Sequence, residues 1–94
     1  MHGLHRHVIR TATAADSADL HRLARLASAP ALEGAVLVAE ISGTPVAAIA
    51  VAEGRTIADP FIPTEHLVVA LRARARGPRA VERIPVLRDR LRAA

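Results

Sequence analysis

Cysteine is absent from the 94 residues, and with it go disulfides, thiolate nucleophiles and cysteine metal sites. Tryptophan and tyrosine are absent too, and phenylalanine occurs once. There is therefore no tyrosine to serve as a general acid and no set of aromatic faces on which nucleic-acid bases could stack. Any core must be filled by Leu, Val, Ile and Ala. Lysine is also missing: all 13 basic residues are arginine. With so much alanine beside them, the arginines look like the codon usage of a GC-rich genome rather than thirteen functional choices. No apolar run approaches the roughly 18 residues that span a bilayer, and no signal-peptide-like stretch follows the N-terminus, so the reading is a soluble, cytoplasmic chain without membrane contact. There is no Walker or dinucleotide glycine pattern. Ser17, Ser28 and Ser42 stand outside any Gly-x-Ser-x-Gly elbow.

What is there fits one small domain. The apolar share is 51%, and a chain of this size buries only about two-thirds of its unfolded surface, so the core is marginal. The formal charge of +4 is unevenly placed: residues 1–71 hold five Arg against seven acids, and residues 72–94 hold eight Arg against two. Basic character thus belongs to the last quarter of the chain.

Residues 35–52 organise the rest. Ala-Val-Leu-Val-Ala-Glu-Ile, then Ser-Gly-Thr-Pro, then Val-Ala-Ala-Ile-Ala-Val-Ala is the sequence form of an antiparallel hairpin. Glu40 is its only charge, so the pair belongs in the buried middle of a sheet. Val36 and Val38 face away from Leu37, Ala39 and Ile41, which makes both faces apolar. Residues 8–12 read as a first strand and 56–58 as a last short one after a turn at 53–55. Pro45 sits at the start of its strand, where a missing N–H costs least.

Two helices flank this meander. Residues 14–27 carry Leu20, Leu23, Ala24 and Ala27 at helical spacing behind Thr13, which with Asp16 forms a loose capping box. Asp16 and Asp19 suit the helix start electrostatically and read as solvated residues rather than a catalytic pair. The second helix follows the 59–64 loop, with Leu67, Val68, Leu71 and Ala75 as its stripe and either Pro63 or Thr64 at its start. Phe61 is expected to plug the end of the core. Beyond Gly77-Pro78, residues 77–94 read either as a short helix carrying Ile84, Leu87 and Leu91 or as a partly ordered basic tail, as residues 1–7 read as a flexible start.

Few side chains offer chemistry. His2, His5 and His7 invite a metal reading, but no carboxylate or cysteine accompanies them and no metal set is assigned. His66, beside Glu65, is a surface histidine with a general-base role as the alternative. Arg72, Arg74, Arg76, Arg79 and Arg83 are the candidate contacts for a polyanion or a protein partner. Arg72, Arg76 and Arg79 fall on one helical flank. No nucleic-acid motif accompanies them.

The order strand, helix, strand, strand, strand, helix resembles the N-terminal half of the GNAT acetyltransferase superfamily. Ile9-Arg10-Thr-Ala-Thr-Ala-Ala-Asp16 is similar to that family's first strand and helix start, and Val38-Ala-Glu-Ile-Ser-Gly-Thr-Pro-Val-Ala-Ala-Ile49 to its central hairpin. The likeness covers residues 8–76 and implies an α+β fold: a small antiparallel meander with helices packed on it. In that family acetyl-CoA binds where backbone N–H groups open the helix after the fourth strand, through Arg or Gln-x-x-Gly-x-Gly or Ala. Here that turn is 59–65. It has no glycine, and Pro60 and Pro63 each delete an N–H. The strands that complete the acyltransferase fold have no counterpart in the 18 residues after Arg76.

The expectation is therefore a truncated or degenerate GNAT-like domain without catalytic residues or cofactor. Its leading role is a non-catalytic interaction module, a homodimer through the second sheet face or a sheet edge, or a contact for another protein, because one sheet face is expected to lie bare. Weak acyl-CoA binding with residual N-acetyltransferase character, and polyanion binding through the arginines, are the alternatives.

Overall fold

A computed structural model describes residues 7–77, and they form an α+β domain. Strands β1 (His7–Thr11), β2 (Val36–Ile41), β3 (Thr44–Ala50) and β4 (Thr56–Ala58) lie side by side in chain order, each antiparallel to the next. A single 3₁₀ turn at Ala14–Asp16 leads from β1 into α1 (Ser17–Leu26), and α2 (Glu65–Ala75) follows β4.

The β2–β3 connection is tighter than the sequence implied. Ser42 and Gly43 alone make the turn, with φ of 51° and 86°, and Ile41 pairs with Thr44. Positive φ at both central residues is the primed turn geometry whose twist matches that of the flanking strands. Further along, Ala39 pairs with Ala47 but Glu40 with Pro45, so Val46 has no partner across the ladder. This bulge is where the proline is tolerated. It also turns Val46 and Ala47 together into one core cluster.

The sheet has a helix on each face. Val36, Val38, Ala48 and Ile57 pack with Leu23 and Ala24 of α1, with Leu20, Ala27, Ala29 and Leu32 at the margin. Ala39, Val46, Ala47 and Ile49 pack with Leu67, Leu71 and Ala75 of α2, joined by Ile9, Leu37, Ile41 and Val68. The expected division of the hairpin into Val36/Val38 and Leu37/Ala39/Ile41 faces is therefore the observed one. The bare face is not. Each apolar face has its own helix, so the argument for association through an uncovered sheet face lapses. Ala39, Ala47, Ala48 and Ala50 are wholly buried, small residues that leave volume for the Leu side chains of the helices.

Side chains tie the layers together. Arg55 donates to the carbonyls of Pro30 (2.9 Å) and Ala31 (2.8 Å), fastening the α1–β2 connection to the β3–β4 turn. Arg22 on α1 donates to the Pro45 carbonyl at 3.0 Å, beside the bulge, and lies 3.9 Å from Asp59 just after β4.

Candidate functional site

The structure separates the polar residues into three places. At the first, Arg10 of β1 meets the start of α1. Its Nη1 and Nη2 donate to the two Asp16 carboxylate oxygens, each at 2.8 Å, and its Nε donates to Glu40 Oε2 at 2.8 Å. The Asp16 carboxylate also accepts the Thr13 N–H at 2.7 Å, the reach-back half of a capping box. Asp16 is buried. The Arg10 guanidinium, with the Thr13 N–H behind it, holds this carboxyl far below the usual carboxylate range, and the same two carboxylates raise Arg10. Asp16 is thus not the solvated residue its position suggested. It is a structural anion with both oxygens engaged, and a carboxyl held that low stays ionised near neutral pH. Asp19 does behave as read, at the surface and 3.4 Å from Arg22.

The second place is the 59–64 loop. Asp59 is buried, and its Oδ1 accepts the Phe61 N–H at 2.8 Å, while the Asp59 carbonyl accepts the Ile62 N–H at 3.4 Å. With Pro60 and Pro63 bearing no N–H, every backbone N–H from Pro60 to Pro63 is either absent or engaged. The donors left at this turn are the N–H groups of Thr64, Glu65 and His66 where α2 opens; the loop before them contributes none. Phe61 does not plug the core: it is 82% exposed. The Asx turn reverses the chain at Pro60 and points the ring outward, while Ile49, Leu67 and Leu71 close the core without it. Ile62 beside it and Val69 on α2 are exposed as well.

The third place is the outer surface of α2. Arg72, Arg74 and Arg76 are all exposed, and among the described residues none of them is in an ion pair. Arg72 and Arg76 line one shallow recess with Ile49, Val51, Gly54 and Ala75, whereas Arg74 falls on another flank. Arg79 and Arg83 lie outside the described residues, so the three-arginine row is seen only as its first two members. His66 packs against His7 of β1, ring centres 5.1 Å apart and planes tilted by 51°. His66 is exposed, as read, but this pairing was not foreseen; only the sheet register, which puts His7 opposite Ile41 on the α2 face, reveals it.

Among the described residues there is no group of three or more His, Asp or Glu side chains placed to hold a metal, and no helix long and apolar enough to cross a membrane. No family model, no curated protein and no solved structure matches the chain.

Proposed function

We propose that this chain is a non-catalytic protein-interaction module, on a scaffold similar to the N-terminal half of the GNAT fold, that pairs with a second copy of itself through the 59–64 loop. Phe61 carries the reading. The only phenylalanine of a chain without tyrosine or tryptophan stands 82% exposed on a loop stiffened by two prolines and an Asx turn. An apolar side chain held ready in this way gives up little conformational freedom when a partner covers it, so more of the burial is left as affinity. Ile62 beside it is exposed as well, and of the two acids lining the same surface Asp59 is buried and Glu65 exposed. A patch so short of charge matches its own copy better than it matches a charged partner.

The non-catalytic part of the reading rests on the engaged Asp16 carboxylate and on the N–H groups that Pro60 and Pro63 lack in the loop before α2. Sedimentation of the whole chain tests the association: the parent is expected as a dimer at concentrations well above micromolar and Phe61→Ser as a monomer. A monomeric parent, or a variant that still pairs, sinks the proposal.

A second reading has its own support. Arg72 and Arg76 share one flank and are without ion-pair partners among the described residues, which suits contact with a polyanion.

A further inference from the structure

We propose that His7 and His66 together form a binding site for a borderline divalent transition metal such as zinc, nickel or copper. The two residues are 59 positions apart in sequence, one on the edge strand and one in the first turn of α2. The fold sets their ring centres 5.1 Å apart with planes tilted by 51°.

That spacing admits a shared ion. A zinc–nitrogen bond of about 2.0–2.1 Å, with about 1.1 Å from nitrogen to ring centre, puts the ion roughly 3.2 Å from each centre. A tetrahedral angle at the ion then separates the centres by about 5.2 Å. The rings are neither flat-stacked nor buried, so rotation about their terminal torsions can aim one nitrogen of each at a common point without moving the backbone.

The surroundings suit the same ligand. The two imidazoles line an open hollow with Ile41, Ile62 and Pro63, so among the described residues no competing acid or base lines it and the walls lower the local polarity around the ion. Neutral imidazole is a strong donor to zinc, nickel and copper and a poor one to magnesium or calcium, which want oxygen. Two protein ligands leave the remaining positions to water, so the site is a chelating pair of modest affinity rather than a closed structural centre.

The test uses the full chain in a buffer without chelating groups, with zinc and nickel chlorides as probes and magnesium chloride as the control. Zinc and nickel should bind by calorimetry and raise the melting temperature, with EDTA reversing the rise, and magnesium should do neither. His7→Ala and His66→Ala should each weaken binding at least tenfold, as loss of one arm of a chelate does. His2→Gln with His5→Gln should leave it in place, and so should Phe61→Ser, which separates this site from the self-association proposed above. Circular dichroism confirms that the variants are folded. In proton spectra, substoichiometric copper should broaden the ring resonances of His7 and His66 and spare His21. Binding that survives His66→Ala, or that vanishes with the His2 and His5 changes, would assign the metal to the N-terminal imidazoles and overturn the proposal.

Discussion

Arg10 and Asp16 face each other fork to fork, two hydrogen bonds of 2.8 Å running in parallel between guanidinium and carboxylate. Bidentate pairs of this kind fix orientation as well as distance. Here they set the angle at which the chain leaves β1 and starts α1. Asp16→Ala should destabilise the fold by about 2–3 kcal/mol, because Arg10 loses its main partner and the capping box opens together. Urea melts of parent and variant check this.

The same pair fixes a pH dependence. The folded Asp16 carboxyl titrates below its unfolded value, so its stabilisation is fully present above the ordinary carboxylate range near pH 4. It is lost progressively as pH falls from there toward the lower folded value. Stability of the parent should therefore drop on acidification below about pH 4–5, and Asp16→Asn should flatten that part of the profile.

Compared at concentrations where the parent is monomeric, Phe61→Ser should cost less than about 0.5 kcal/mol, since the ring is exposed and its removal leaves no cavity. Leu71→Ala, in a side chain wholly buried against the sheet, should cost about 2–5 kcal/mol. If the two variants melt alike, Phe61 belongs to the core after all.

Ser42 and Gly43 can be tuned in opposite directions. Ser42→Asn should stabilise by a few tenths of a kcal/mol, because asparagine tolerates positive φ better than serine. Gly43→Ala, at φ +86°, should destabilise by about 1 kcal/mol. Denaturant midpoints at unchanged slope give both values.

Acetyl-CoA titrated into the chain should give no micromolar binding, given that the loop between Pro60 and Pro63 has no free N–H and no glycine. Polyanion binding is separable from this. If Arg72, Arg76 and Arg79 neutralise phosphates of duplex DNA, replacing all three with Gln should reduce the salt slope of log affinity by roughly 0.9 for each phosphate no longer neutralised. An unchanged slope leaves them as solvated side chains.

The hairpin, its two faces and the stripes of both helices were legible because a sheet's period of two and a helix's period of 3.6 are written directly into apolar spacing. The covering of both faces was not, since periodicity says which side of a helix is apolar and not which layer it joins. Asp16 misled for a related reason: its place at a helix start explains an acid there without any partner, and Arg10 comes into reach only through the sheet. Phe61 was misplaced because a large apolar residue is ordinarily core, whereas the Asp59 Asx turn that points it outward depends on a side chain-to-backbone bond. The bulge at Val46 leaves no mark in the sequence beyond Pro45. His7 and His66 needed the strand register before they could be seen as neighbours.

The position of Phe61 has a practical side. With no tryptophan or tyrosine in the chain, folding is nearly silent in ultraviolet fluorescence, and a single fluorine label on phenylalanine yields one resonance from one surface site. That resonance would follow the occupancy of the loop directly, unmixed with any signal from the interior. The interior, being aliphatic, is read through its methyl groups, and surface recognition and core melting can thus be observed in one sample as two independent signals.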